Sequence, residues 1–129
     1  MPNDRIATVR SLYDAFAAGD GATLAALIGD THWIEAAGMP YGGNYRGLAE
    51  VAANVFGPIG RDIADFTARP DEILPVGDTQ VLALGIYRGT GGAGPLDARF
   101  AHLYRVADDG AITDFEQFAD THLFRQALG

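Results

Sequence analysis

The sequence predicts a single α+β domain over residues 1–129, in which helices lie on one side of a mostly antiparallel sheet. Apolar residues recur at helical spacing in the first half of the chain, whereas strand-like runs separated by turn signals fill the second half. Helices followed by a block of consecutive strands are typical of α+β domains. The length suits one domain with one hydrophobic core.

Three helices are predicted before the sheet. Apolar side chains recur at helical spacing over 6–16, and Gly19 is placed to end this helix. Asp20 is placed to cap a second helix, GATLAALI, which ends at Gly29. A third run at helical spacing covers 48–56, and we expect the sequence GPIG to end it.

The strands are expected mainly after residue 60. One short strand, THWIEA, precedes the third helix, and the segment MPYGGNYRG between them has the composition of a loop. The later runs with β character are DIADFTA, EILPV, QVLALGIYRG, LDARFAHLYRV and AITDFEQF. The segment DTHLFRQAL predicts a short closing helix.

Composition narrows the classes of function. The chain has 9 Lys and Arg against 17 Asp and Glu, a formal net charge of −8. Such a protein repels phosphate backbones and anionic lipids, so we expect no nucleic-acid partner and no membrane partner. The absence of cysteine excludes disulfides and thiol chemistry. Charges interrupt the N-terminal segment and no apolar run approaches about 18 residues, so we expect a cytoplasmic protein.

The hairpin HLYRVADDGAITDFE contains the most informative polar residues, and its register decides which of them face each other. A two-residue loop, DG, places His102 opposite Gln117. A three-residue loop with Gly110 in the left-handed conformation places His102 opposite Glu116. The hydrophobic pattern favours the second loop, because it pairs apolar residues on one face, namely Val106 with Ile112 and Phe100 with Phe118.

On the favoured register His102 and Glu116 are cross-strand neighbours, with Cβ atoms about 5 Å apart. A carboxylate raises the pKa of an adjacent imidazole and orients it, and such a pair in an apolar pocket exchanges protons near neutral pH. The alternative is a solvated surface pair worth about 0.2–1 kcal/mol. The flanking Phe100 and Phe118 favour an enclosed pair, and Tyr104 is expected at the pocket rim.

Further candidates lie outside this hairpin. Glu35 and Trp33 share one side of the strand THWIEA; Glu35 faces either the pocket or solvent, and Trp33 is a pocket wall or a core residue. Tyr13 lies on the apolar stripe of the first helix and Phe56 ends the third, and both fit either core packing or the pocket wall. The three histidines show no zinc-like spacing, so we expect no metal site.

Three segments together resemble the SnoaL-like proteins, in the superfamily of ketosteroid isomerases, polyketide cyclases and nuclear transport factor two. They are LYDAFAAGD, THWIEAAGMPYGGNYRG and FAHLYRVADDGAITDFEQFADTHLFRQAL. The resemblance spans about residues 4–128. It implies a cystatin-like, cone-shaped barrel in which a strongly curved sheet wraps around three N-terminal helices and encloses one pocket. It also implies cofactor-free chemistry on carbonyl compounds and homodimerisation through the outer face of the sheet.

The resemblance also implies residue roles. Glu35 falls where steroid isomerases have their proton-shuttling carboxylate, Tyr13 lies near their first-helix tyrosine, and His102 stands where they have a protonated acid. Polyketide cyclases pair a histidine with an acid at positions that correspond to His102 and Glu116. We therefore expect an enzyme in which Glu116 or Glu35 removes a proton beside the carbonyl of a small hydrophobic molecule, while His102 donates a hydrogen bond or a proton to the enolate. The alternative is a non-catalytic module for small-ligand binding or dimerisation.

Overall fold

The computed structural model describes the backbone of residues 2–129 and the side chains of residues 4–129. It confirms the α+β prediction, because a six-stranded, curved and mostly antiparallel sheet packs against helices. The helices are α1 (Pro2–Ala18), α2 (Gly21–Leu27), α3 (Gly47–Val51), a π-helical turn (Ala52–Phe56), α4 (Gly57–Asp62) and α5 (Thr121–Leu128). The strands are β1 (His32–Glu35), β2 (Gly43–Arg46), β3 (Ala64–Val76), β4 (Gln80–Gly91), β5 (Gly94–Val106) and β6 (Ile112–Ala119).

The order of strands in the sheet brings the two halves of the chain together. The order is β2-β1-β6-β5-β4-β3, with β1 parallel to β6 and all other neighbours antiparallel. In the parallel contact Ile34 lies opposite Glu116, and Trp33 lies opposite Phe115. The inner face of the sheet therefore carries side chains from β1 beside side chains from the C-terminal hairpin.

The segment around the third helix differs from the sequence-based expectation. The predicted loop MPYGGNYRG contains β2, which forms because Tyr45 lies opposite Trp33 and its hydroxyl donates to the Tyr41 carbonyl at 2.9 Å. The sequence GPIG does not end the third helix, which continues from α3 through the π-helical turn into α4. Pro58 closely follows the π-helical turn, and prolines and π-helical turns are both common sites of helix bending.

Strand β3 is also longer than expected. The runs DIADFTA and EILPV were predicted as two separate strands, but they form one strand. The pairing of β3 with β4 shifts register between Pro70 and Glu72, and β3 lies at the edge of the sheet. Proline is tolerated at such bulges and edges because no ladder hydrogen bond is lost there.

The turn of the C-terminal hairpin matches the favoured prediction. The Ala107 N–H donates to the Ala111 carbonyl at 2.8 Å, which closes a three-residue loop. Gly110 has a φ of +89°, the left-handed conformation that this loop needs. The next pair outwards is Val106 with Ile112, as predicted.

Beyond this pair the predicted register is wrong, because a β-bulge at Thr113 shifts it by one residue. His102 therefore lies opposite Gln117, and Glu116 lies opposite Leu103. The bulge reverses which side chains of β6 face the core. Without it, the alternation from the turn would place charged carboxylates inside, whereas the observed register buries Phe115 and Gln117.

Candidate functional site

A small cavity lies between the inner face of the sheet, α1 and the π-helical turn. The space open to the centre of a water molecule is about 50 Å³, and most of the lining side chains are apolar. The residues predicted for the site that line this cavity are Tyr13, Trp33, Glu35, Phe56, His102 and Tyr104. Phe100 is buried beside it, with its ring centroid 4.0 Å from that of His102.

Two predicted site residues lie elsewhere, as a consequence of the bulge. Glu116 is on the outer face of the sheet, beside Leu103, and does not contact the cavity. Phe118 is on the same outer face and its surface is 49% exposed. The predicted pairing of His102 with Glu116 therefore does not exist, and this geometry removes the basis for a shared proton between them.

A chain of hydrogen bonds surrounds His102 instead. Its Nδ1 lies 2.6 Å from the Tyr13 hydroxyl, and its Nε2 lies 2.5 Å from the Tyr87 hydroxyl. The Tyr104 hydroxyl donates to Tyr13 at 2.8 Å. At the other end the Gln117 amide donates to the Tyr87 hydroxyl at 2.8 Å. All five side chains are buried, so each of these bonds is shielded from water.

The environment keeps the imidazole neutral. Burial lowers the pKa of His102 from 6.5 to about 3, because the charged form is desolvated and no carboxylate contacts the ring. The expectation that a glutamate raises this pKa is therefore wrong. Burial also raises the pKa of Tyr13 well above its ordinary value. Neither group is charged at neutral pH, so both act through hydrogen bonds.

The chain of hydrogen bonds around His102 has one proton to offer to a ligand. The three tyrosine hydroxyls and the neutral imidazole carry four protons, but only three hydrogen bonds link them: Tyr104 to Tyr13, Tyr13 to His102, and His102 to Tyr87. Gln117 supplies its own proton to Tyr87. One hydroxyl proton therefore has no acceptor within the chain and is free to point into the cavity. With Tyr104 donating to Tyr13, that proton belongs to Tyr13 or to Tyr87, depending on which nitrogen of His102 is protonated.

Glu35 supplies a carboxyl group to the same cavity. Its Oε1 accepts a hydrogen bond from the Trp33 indole at 2.8 Å, whereas Oε2 is buried without a hydrogen-bond partner. Burial raises the pKa of Glu35 from 4.5 to about 7, while the hydrogen bond from the Trp33 indole and the nearby Gln117 amide partly oppose the increase. Glu35 therefore exchanges protons near neutral pH and presents an unoccupied oxygen.

The aromatic walls hold the polar groups in place. Trp33 stacks on Phe115 with ring centroids 3.7 Å apart, and the Phe56 ring is perpendicular to Trp33 with centroids 5.7 Å apart. Phe56 also packs against Phe16 of α1, with centroids 5.0 Å apart. These contacts exclude water and fix the direction of the Trp33 N–H that orients Glu35.

Sequence reasoning missed two members of the site, Tyr87 and Gln117. Gln117 was opposite His102 on the disfavoured register, so only the bulge decided between it and Glu116. The Gln117 side chain also accepts from the Ala36 N–H at 3.0 Å, which links β6 to the end of β1. Tyr87 shares one face of β4 with Ala83 and Gly85, because every second residue of a strand points to the same side. This period of two was the signal in the sequence that could have identified Tyr87 as facing inward.

Other kinds of site have no support in the part of the chain that the structure describes. No group of three or more His, Cys, Asp or Glu side chains among residues 4–129 is arranged to hold a metal ion. The helices described here also lack the combination of length and apolar character that a bilayer-spanning helix needs.

The fold belongs to the class of nuclear transport factor two-like, cystatin-like α+β proteins. An NTF2-like protein from Burkholderia thailandensis is 35% identical, with 95% of each chain covered and a TM-score of 0.87. An NTF2-like protein of unknown function from Burkholderia pseudomallei is 30% identical, with 97% of each chain covered and a TM-score of 0.85. The structure of TerC, co-crystallised with polyporic acid, shares the fold at 22% identity, with 96% of this chain and 97% of that chain covered and a TM-score of 0.84.

Within that class, the model of the SnoaL-like domain matches residues 9–115. The chain therefore belongs to the SnoaL-like family, which confirms the resemblance seen in the sequence. No curated protein matches the chain.

Proposed function

We propose that the protein is a cofactor-free enzyme that moves a proton at the carbon next to the carbonyl of a small apolar compound. The observation that carries this proposal is the unpartnered Oε2 of Glu35, buried in a cavity that also receives a tyrosine hydroxyl. A carboxylate with a pKa of about 7 is suited to remove and return a proton at neutral pH.

The roles follow from the contacts. Glu35 is the base, and Trp33 holds its other oxygen. The free hydroxyl proton of the hydrogen-bond chain, on Tyr13 or Tyr87, stabilises the enolate oxygen in a water-poor cavity. His102 is neutral and acts on the substrate through the two tyrosines that it contacts. Isomerisation, cyclisation and dehydration all use these proton-transfer steps. The family and the site support this group of three reactions and do not favour one reaction over the others.

The dimensions of the site limit the substrate. The inner cavity of about 50 Å³ holds only a compact reacting end. A groove of about 520 Å³ between α1 and β3 shares Tyr13, Phe16, Phe66 and Ala68 with the cavity lining. A longer substrate would place its reacting carbonyl inside and its remainder in this groove, with the shared side chains between them.

The test is proton exchange on a small ketone. Cyclohex-3-en-1-one is incubated with the protein in D₂O, and deuterium incorporation and the shift of the double bond into conjugation are followed by NMR. Wild type should accelerate both, and Glu35→Gln should slow them by about 10²–10⁴-fold. The matched control is Glu116→Gln on the outer face, which should keep the wild-type rate. Equal rates for wild type and Glu35→Gln, with this ketone and a panel of similar ketones and lactones, would contradict the proposal.

The competing function is non-catalytic binding of a small hydrophobic molecule. The small cavity volume and the satisfied hydrogen bonds around His102 favour it. Trp33 is the single tryptophan and lines the cavity, so its fluorescence reports occupancy. A ligand that quenches or shifts this emission, without any proton exchange, would favour binding over catalysis.

We also propose a homodimer formed through the outer face of the sheet. An apolar row crosses this face, because cross-strand partners share a side: Leu74, Leu82 and Leu103 in one line, and Leu84, Ala101 and Phe118 in the next. Leu74 and Phe118 in these rows are exposed, and contiguous apolar surface marks association sites. A cytoplasmic location is likewise a proposal, which rests on the acidic, cysteine-free sequence and is tested by cell fractionation.

A further inference from the structure

The position of His102 between two tyrosines has a consequence beyond holding them. Each ring nitrogen contacts one hydroxyl, Nδ1 that of Tyr13 and Nε2 that of Tyr87. When Nδ1 carries the proton, it donates to Tyr13, Tyr87 donates to Nε2, and the free hydroxyl proton is on Tyr13. When Nε2 carries the proton, it donates to Tyr87, Tyr13 donates to Nδ1, and the free proton is on Tyr87.

We propose that His102 relays protons between Tyr87 and Tyr13 by switching between its two neutral tautomers. Each proton that Tyr87 accepts from Glu35 is then matched by one that Tyr13 delivers to the cavity. His102 is in this sense a positioning residue, because it acts through the two tyrosines. The inference rests on the proposed function for its role in turnover, whereas the tautomer switch itself is a property of the resting protein.

The steps balance in protons and electrons. Glu35 takes the proton from the carbon beside the carbonyl, the C–H bond breaks and its electron pair forms the enolate. Tyr13 gives its free proton to the enolate oxygen and receives the Nδ1 proton of His102. Tyr87 gives its proton to Nε2 and receives, through a water in the cavity, the proton held by Glu35. One proton has then moved from carbon to oxygen, and Glu35 is again a carboxylate.

The reverse sequence closes the cycle. The enol returns its proton to Tyr13, the relay runs backwards, and Glu35 delivers a proton to a different carbon of the substrate. His102 ends in its starting tautomer, and no member of the chain has kept a charge. This explains how an imidazole that stays neutral in the folded protein takes part in proton transfer.

The surroundings couple the relay to Glu35. The titratable groups packed around the imidazole are Tyr13 from α1, Tyr87 from β4 and Tyr104 from β5, with Glu35 from β1 at the same cavity. Burial raises the pKa of Tyr87, the charge of Glu35 raises it further, and the Gln117 amide interacts with both groups. Glu35 and Tyr87 both line the cavity, and its volume of about 50 Å³ has room for a water that bridges them.

The first experiment measures the tautomer directly and needs no substrate. Protein labelled with ¹⁵N-histidine is titrated from pH 5 to pH 9, and His102 is assigned with His102→Gln. The ring should stay neutral throughout, and the fraction with Nε2 protonated should rise as Glu35 ionises near pH 7, changing the tautomer ratio by about threefold or more. Glu35→Gln should abolish this change. A single fixed tautomer in wild type, a change that persists in Glu35→Gln, or a protonated ring at pH 6 would overturn the relay.

The second experiment measures protons in transit during turnover. The rate of cyclohex-3-en-1-one isomerisation is measured as a function of the deuterium fraction of the solvent. Several protons moving together should give a curved plot for wild type, and His102→Gln should give a straight one, because an amide donates and accepts hydrogen bonds but does not relay protons. His122→Gln, an exposed residue of α5, should keep the wild-type curve. A straight plot for wild type would overturn the relay while leaving the proposed function intact. If neither this ketone nor the panel of similar ketones and lactones reacts, the proposed function fails and the NMR titration alone decides the relay.

Discussion

Replacing Glu35 by glutamine should stabilise the fold above neutral pH and flatten its dependence on pH. Glu35 is 4% exposed, and burial raises its pKa from 4.5 to about 7. Since one pKa unit corresponds to about 1.36 kcal/mol, ionising the buried carboxyl costs the folded state about 3 kcal/mol. The glutamine retains an oxygen that accepts from the Trp33 indole.

The sign follows from proton binding. Between pH 4.5 and about 7 the folded protein keeps a proton on Glu35 that the unfolded chain has released. Stability from this group is therefore fully present below pH 4.5 and is lost as the pH rises through about 7. Other groups contribute their own slopes, but they cancel in the difference between wild type and Glu35→Gln.

The assay is urea unfolding at pH 5 and pH 8 for wild type, Glu35→Gln and Glu116→Gln. The free energy of unfolding of Glu35→Gln, relative to wild type, should improve by about 2.5 kcal/mol from pH 5 to pH 8. Glu116→Gln should follow wild type, because its side chain lies on the outer face. If the difference between Glu35→Gln and wild type is the same at both pH values, the carboxyl is not held in a dry site and the assignment of Glu35 as base loses its support.

Three further predictions concern other parts of the molecule. Burial lowers the pKa of His102 from 6.5 to about 3, so the stability that this residue contributes is present above pH 6.5 and is lost as the pH falls. Between pH 7 and pH 4 the free energy of unfolding of wild type should fall by about 3 kcal/mol relative to that of His102→Gln, with His122→Gln as the control. Parallel curves of unfolding free energy against pH for wild type and His102→Gln would contradict this. Gly85→Ala should lower the free energy of unfolding by about 2 kcal/mol or more, because a Cβ at this position would collide with the backbone of β3. In the same urea titration Gly60→Ala should be close to neutral, because a Cβ at Gly60 meets nothing within 4 Å. Phe118→Glu should convert the proposed homodimer to a monomer in sedimentation or light-scattering measurements, and a wild-type monomer at high concentration would refute that surface.

Much of the fold was readable from the sequence because it depends on local patterns. Helical spacing predicted α1 and α2, and alternation with turn residues predicted β4, β5 and β6. The turn at Gly110 was predicted correctly because its left-handed conformation is a property of three or four residues. The motifs of the hairpin and of the segment around Trp33 also indicated the SnoaL-like family.

The errors occurred where a distant segment decided the local structure. Strand β2 forms in a glycine-rich segment because β1 offers it a partner. The π-helical turn extends the third helix past GPIG, although that sequence is an ordinary helix terminator. The bulge at Thr113 has no signal in its own residues, because it is selected by which side chains of β6 fit the core.

For this protein the sequence alone determined the class of fold, the acidic and thiol-free character and the hairpin turn, since each of these depends on composition or on residues close together in the chain. The tertiary structure alone decided the site. A one-residue shift in β6 exchanges every inward side chain for its neighbour, and it replaced Glu116 by Gln117 beside His102. The parallel pairing of β1 with β6 brought Glu35 to the same cavity, and burial, which no short segment creates by itself, gave its carboxyl a pKa of about 7.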